Sequence, residues 1–405
     1  MTAKMHPGKK RRKYVLRILG LVTFAIVVVG LYTYIIGTRT LLEHAENFSF
    51  HRMSVSRIEG TDAFRFFYAT NRLVNDPQGP VDQRFSTERS PELGFGTFDT
   101  QIEPTLGLGM IVDPSDWFLN EEIQLLDVAS RQREEFISAL RSQVDATRDR
   151  SLLLVVHGFR EAFPSALRKT AFLGHVLDID TPVLVFDWPG NQGSTLRGYR
   201  RARGVAKNSG NELAQMIRLI AQEIQPDRFW LLANSMGGQV VADAFHLLND
   251  DSDFSERQSK IENVILTAPD VDHEEFNDKF KQEMLALADN TTVYVSSNDR
   301  ALLISRIINR GLRLGESTLD PGNPGQIEEA VGFSKWIDPG SNRLTLVDVT
   351  PVNRTRNFHN FSLETPEFVD DLFLRLTGSD LPITRELYLI KTPNDARYFV
   401  LTRAR

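Results

Sequence analysis

The sequence predicts an α/β protein, a mostly parallel sheet with helices on both faces, preceded by an N-terminal transmembrane helix. Three observations carry that reading. From residue 151 onward, short apolar runs alternate with segments of helical spacing, the pattern of a parallel sheet with crossover helices. Runs such as "SLLLVV" are almost continuously apolar, as strands buried on both faces must be. The stretch "ILGLVTFAIVVVGLYTYII", Ile18 to Ile36, carries no charge at all.

At the N-terminus, Lys4, Lys9, Lys10, Arg11, Arg12, Lys13 and Arg17 precede that stretch, and the first acidic residue is Glu43. At ~1.5 Å per residue a helix over 18–36 is about 28 Å long, enough to cross the hydrocarbon core. Tyr32 and Tyr34 suit the far membrane interface, and the basic cluster suits the cytoplasmic side. No small-residue cleavage pattern follows, so a removed signal peptide is the weaker alternative. The expectation is a single-pass membrane protein, N-terminus inside and C-terminus outside, with its folded part periplasmic or otherwise extracytoplasmic. Residues 1–17 form a basic tail, 18–36 the anchor, 37–60 a polar linker, 61–378 the main domain and 379–405 a C-terminal extension.

Within 61–378, residues 61–150 are β-rich. "FRFFYATNR" (64–72) and "LGFGTFDTQIE" (93–103) read as strands, separated by the Pro- and Gly-bearing "NDPQGPVDQRFSTERSPE". "EEIQLLDVA" is a further strand. Phe136, Leu140 and Val144, four apart, mark a helix. The core, 151–378, then alternates: "SLLLVVHGF", "TPVLVFDWPG", "RFWLLANS", "IENVILTAPD", "TTVYVSSND" and "RLTLVDVT" as strands, with helical segments between them and "PEFVDDLFLRL" as the closing helix. "ELYLIKT" and "RYFVLTR" read as an added strand pair without an assigned place.

Composition narrows the chemistry. The chain has 405 residues, 41% hydrophobic and 25% charged, with a net charge of −6 and no cysteine. Cysteine nucleophiles, disulfides, thiolate zinc sites and a lipidated Cys are therefore excluded. The acidic balance argues against a general nucleic-acid partner. No G-x-G-x-x-G or P-loop is present, so no nucleotide, and no other cofactor or metal, is expected.

The chemistry-bearing stretch is "LLANSMGGQV", 231 to 240. A strand that turns abruptly into a helix holds its connecting residue in a strained conformation, and the neighbours two before and two after must be small. Ala233 and Gly237 meet that need around Ser235, a G-x-S-x-G elbow with Ala in the first position. The elbow exposes a nucleophilic Oγ beside the helix N-terminus, where the Met236 N–H faces a developing oxyanion. "VVHGF" ends the first core strand, and in hydrolases of this build the residue after such a glycine, here Phe159, gives the second oxyanion donor. The required chain order of nucleophile, acid, base is met by Ser235, Asp299 after "TTVYVSSN", and His359 after "RLTLVDVT". Asp270 and Asp272 are rival acids one strand too early, more suited to structural work such as helix capping. His273 lies by the wrong strand, and His175 and His246 fall within helical patterns. His157, Asn234 and Arg203 complete the expected substrate-binding set: His157 as a loop organiser and not the base, Arg203 from the basic run "LRGYRRARGVAK". That run carries Arg197, Arg200, Arg201, Arg203 and Lys207, and is either a solvated loop or a contact for an anionic substrate or lipid head group.

"FYATNR", "VVHGF", "FDWPG", "ANSMGG", "TAPDVD" and "YVSSNDRAL", in this order, resemble a family of uncharacterised bacterial α/β-hydrolases, esterase/lipase-like and of the DUF900 type. The resemblance spans about residues 64 to 375. It implies an α/β-hydrolase fold and a serine-hydrolase triad of Ser235, Asp299 and His359. Such proteins often have His just before the nucleophile; here Asn234 stands there, a change expected to tune the pocket. The implied activity is hydrolysis of carboxylic esters by an acyl-enzyme, with an ester or acyl substrate, lipids included, and with oligomeric state left open. The alternatives are another serine acyl enzyme (thioesterase, peptidase or acyltransferase) and a non-catalytic α/β-hydrolase scaffold acting as a binding module.

Overall fold

The structure, a computed structural model, describes residues 17, 20–25, 27–28, 52–102, 123–251, 254, 261–309, 311–316, 343–355, 359–378, 387–391 and 397–402. Its strands are β1 (Ala63–Val74), β2 (Phe85–Ile102), β3 (Ile123–Arg131), β4 (Ser151–Val156), β5 (Val183–Asp187), β6 (Arg228–Asn234), β7 (Ile261–Thr267), β8 (Ala288–Val295), β9 (Leu344–Asp348), β10 (Leu387–Lys391) and β11 (Arg397–Leu401). They form one sheet in the order β10-β11-β9-β8-β7-β6-β4-β5-β1-β2-β3. Every pairing from β11 to β1 is parallel. Antiparallel pairs close both edges, β1–β2–β3 on one side and β10–β11 on the other.

The helices are α1 (Arg133–Ala146), α2 (Phe163–Leu177), α3 (Leu196–Leu219), α4 (Gly237–Asn249), α5 (an irregular stretch over 273–287), α6 (Arg300–Asn309), α7 (Phe361–Glu364) and α8 (Pro366–Thr377). The period of two in a strand sorts them into layers. Leu152, Leu154 and Val156 of β4 point to one face, where Phe136 of α1, Leu213 of α3 and Val240 of α4 cover them. Leu153 and Val155 point to the other, against Leu167 and Phe172 of α2 and near Phe368 and Leu372 of α8. β4 and β5 are buried along their whole length, which is why their sequences are apolar without alternation.

The chain leaves β4 for β5 on one side, then crosses back to lay β6 on the other. Such a reversal opens a crevice at the carboxyl ends of the strands. His157–Gly158 and Ser235 follow directly from the two strands that flank it.

Three expectations meet a different outcome. The segment 75–92, expected to separate two strands, is half strand: β2 begins at Phe85, opposite Val74, and its polar residues lie on a partly solvated edge with register shifts near Arg72. Residues 52–60, expected as linker, pack on the domain. Met53 is buried and the Val55 N–H donates to Asp180 Oδ1 at 2.9 Å. At the N-terminus, residues 17, 20–25 and 27–28 are helical, with Leu21, Val22, Phe24, Val27 and Val28 exposed, and the rest of the 18–36 span lies outside the described residues. Among the described residues no helix is long and apolar enough to cross a membrane, so the anchor and the localisation built on it find no support in the structure. The strand pair near the C-terminus now has a place: β11 pairs with β9, and Leu387 and Leu401 are buried.

Candidate active site

The turn after β6 holds Ser235 at φ 53°, a left-handed conformation that strains any residue with a β-carbon. Its surroundings determine it. A Cβ on Gly237 would lie 2.6 Å from the His157 carbonyl oxygen and 2.7 Å from that of Val156, so only glycine lets α4 begin this close to β4. The Ser235 N–H donates to Thr267 O at 2.8 Å, and its carbonyl accepts from Gly238 and Asp270, each at 3.0 Å. Ala268 (φ 43°) and Arg160 (φ 71°), just past β7 and β4, are strained in the same sense. Strain of this kind concentrates where a side chain must be aimed.

The loop after β9 brings His359 to the serine. His359 Nε2 lies 2.8 Å from Ser235 Oγ, and its Nδ1 lies 2.7 Å from Asp299 Oδ2. Asp299 is itself anchored: its Oδ1 accepts from the N–H groups of Ala301 and Leu302 at 2.9 and 3.0 Å, capping α6. With Nδ1–H donated to the carboxylate, Nε2 is the acceptor for the serine hydroxyl. Burial pushes the His359 pKa down, but the Asp299 charge, its hydrogen bond and the charge of Asp270 outweigh this, so the net displacement is upward.

Beside Ser235 stand two open donors. Among the described residues neither the Phe159 nor the Met236 N–H has a hydrogen-bond acceptor. Gly158 seats the first of these close by, since a Cβ there would come within 3.1 Å of Ser235 Cβ. N–H groups without acceptors are uncommon, and two beside a hydroxyl, Met236 at the start of α4 and Phe159 in the loop after β4, form an arrangement able to receive an oxyanion.

His157 is engaged elsewhere. Its Nδ1 lies 2.9 Å from Gly158 O, and its Nε2 lies 3.1 Å from both Asp187 Oδ1 and the Trp188 N–H. The ring stacks on Trp188, whose Nε1–H donates back to His157 O at 2.8 Å. Asp187 in turn accepts from Thr70 and Arg72 at 2.6 and 2.7 Å, and Arg72 also donates to Glu161 O, Trp188 O and Asn191 Oδ1. Burial pushes the Asp187 pKa up, yet Arg72 and His157 outweigh it and the net displacement is downward. Thus three of the sequence motifs, "YATNR", "VVHGF" and "FDWPG", meet in one buried ion network under the loop that carries Phe159.

Asn234 Oδ1 accepts from Thr267 Oγ1 at 2.9 Å and lies 3.4 Å from Ser362 Oγ, between the elbow and α7. Arg203 donates to Asn309 Oδ1 at 2.6 Å and so joins α3 to α6; among the described residues it makes no hydrogen bond to Ser235, His359 or Asp299. Asp270 is fully used by Arg313 Nε (2.7 Å), Tyr199 Oη (2.7 Å) and Ser305 Oγ (2.6 Å), and Asp272 accepts from the Glu275 N–H at 3.2 Å. His273 is buried, which pushes its pKa down to about 4, and His246 meets Glu283 at 2.7 Å. Arg72, Asp187, Trp188, Tyr199 and Arg313 had no role in the sequence reading. The polar run Thr70-Asn71-Arg72 closing an aromatic strand segment in "FRFFYATNR" was the available signal. Tyr199 packs edge-on against Phe159, 5.7 Å between centroids, and burial together with the Asp270 charge pushes its phenol up to about 12.

The model of a family described as an alpha/beta hydrolase of unknown function (DUF900) matches residues 132–376. None of the curated proteins matches the sequence. Similar solved structures include the propionate-bound esterase Est2 of Thermogutta terrifontis, 14% identical, covering 56% of this chain and 84% of that one at a TM-score of 0.31. Est1E of Butyrivibrio proteoclasticus is 14% identical and covers 56% and 88% at 0.32. Inhibited esterase B of Lactobacillus rhamnosis is 11% identical and covers 75% and 96% at 0.27. Likenesses this distant carry no weight for the substrate.

Proposed function

The chain belongs to the alpha/beta hydrolase family of unknown function DUF900, and from that premise we propose that it is a serine hydrolase of carboxylic esters working through an acyl-enzyme. The observation that carries the proposal is the continuous hydrogen-bonded chain from Ser235 Oγ through His359 to Asp299, at 2.8 and 2.7 Å.

In this reading Ser235 Oγ attacks the ester carbonyl carbon while His359 Nε2 takes the hydroxyl proton. Asp299 keeps the imidazole in the needed tautomer and stabilises it once it is charged. The N–H groups of Phe159 and Met236 receive the oxyanion. As the tetrahedral species collapses, His359 gives the proton to the departing alkoxide, which leaves as the alcohol. Water then attacks the acyl-serine with His359 as base again, and the carboxylic acid leaves with Ser235 restored. On sequence grounds, the apolar run 18–36 behind its basic cluster supports a membrane tether for this hydrolase.

The test is hydrolysis of p-nitrophenyl esters of increasing acyl length by the full chain and by Ser235→Ala. Turnover should fall by a factor on the order of 10⁴ or more in the variant with its fold retained. Equal turnover by the two proteins would remove Ser235 from the reaction; no turnover by either would favour a binding scaffold.

A further inference from the structure

We propose that the exposed face of α3 at its N-terminal end docks onto an anionic lipid surface. The inference goes beyond hydrolysis and does not depend on it.

Between Asp187 and Glu212 the sequence contains no acidic residue and five basic ones, in a chain whose net charge is −6. Two of the five have partners: Arg203 donates to Asn309, and Lys207 pairs with Glu275 at 2.9 Å. Arg197, Arg200 and Arg201 are exposed, and among the described residues their side chains make no hydrogen bond or ion pair. Spaced i, i+3 and i+4, they share one helix face, while Tyr199 and Arg203 on the other side hold α6.

Helix formation does not call for this arrangement. Like charges at i and i+4 repel, and cations near a helix start oppose the positive end of the helix dipole. Surface helices ordinarily interleave both signs; here three cations are gathered where each is locally unfavourable, and none of the described residues neutralises them. A local choice against the fold's interest marks a surface shaped for something outside it.

Charge complementarity calls for an anionic partner, and the exposed Leu196 at the start of the same helix favours lipid over a soluble polyanion. Leu196, the first residue of α3 and the neighbour of Arg197 in the chain, is 48% exposed. Arginines beginning directly after an exposed leucine suit an interface with charged head groups above acyl chains. The same helix touches the candidate site, because Tyr199 lies between Arg197 and Arg200 and packs on Phe159. Docking here would hold the crevice near the lipid surface.

Hydrogen–deuterium exchange of the full chain tests the idea, with vesicles of phosphatidylcholine alone or with 30 mol% phosphatidylglycerol. The first amides of a helix lack i−4 acceptors and exchange fast, so slowing there is readable. The expected result is at least a several-fold slowing over 196–204 with the anionic vesicles only, reversed by about 0.5 M salt. It should vanish in Arg197→Gln/Arg200→Gln/Arg201→Gln and persist in the triple Lys variant, which keeps the charge and controls for folding. Absence of slowing specific to the anionic lipid, or its survival in the Gln variant, overturns the proposal. Equal slowing by soluble polyphosphate would replace the lipid with a general polyanion and overturn it too.

Discussion

In the proposed mechanism His359 is the residue on which the chemistry turns, since it must be neutral to accept the Ser235 proton. Its pKa is displaced upward, burial being outweighed by Asp299, its hydrogen bond and Asp270. The neutral fraction therefore grows as pH rises through that raised value, and the acid limb of kcat/KM should lie above the 6.5 of a free imidazole. Asp299→Asn should shift that limb to lower pH, because burial then acts with less opposition, and reduce kcat by a factor on the order of 10⁴. A pH–rate profile of both proteins checks this; an unmoved limb would detach Asp299 from His359. These three residues were legible because an elbow has a sequence signature and its partners follow in a set order along the chain. The choice of Asp299 over Asp270 rested on strand position alone. The structure adds the physical reason, since Asp270 is occupied by Arg313, Tyr199 and Ser305.

At the scale of elements, the loop after β4 is held by a buried ion pair, Arg72 with Asp187, both side chains almost wholly excluded from solvent. Removing one partner leaves an uncompensated buried charge, so Arg72→Met should cost roughly 3–5 kcal/mol. Urea unfolding checks the loss, and Arg72→Met/Asp187→Asn should cost less than the sum of its parts. Independent, additive losses would contradict a coupled network. None of this could be read from the sequence, although all three motifs were visible in it. The contact joins residues 115 positions apart, and periodicity reports which face a residue takes but not what it meets there. The central strands were legible for the opposite reason: burial on both faces imposes an apolar run. At the sheet edges that pressure lapses, and the first part of β2, polar and half-exposed, went unread.

For the whole molecule, the parallel sheet places the ends of β4, β6, β8 and β9 at one rim, so residues far apart in sequence converge there. The C-terminal strand pair could be recognised as strands but not placed, because nothing in "RYFVLTR" specifies β9 as its partner. How the molecule is held in the cell is a separate matter. A tether over 18–36 requires the full chain to remain in the membrane pellet after alkaline carbonate extraction, and release into the supernatant would exclude it. Covalent labelling with a fluorophosphonate, followed by peptide mass mapping, decides whether Ser235 is the nucleophile of an acyl enzyme. A single adduct on Ser235, forming much more slowly in His359→Ala, is the expected result. No adduct on folded protein, or an adduct on a different residue, would contradict it.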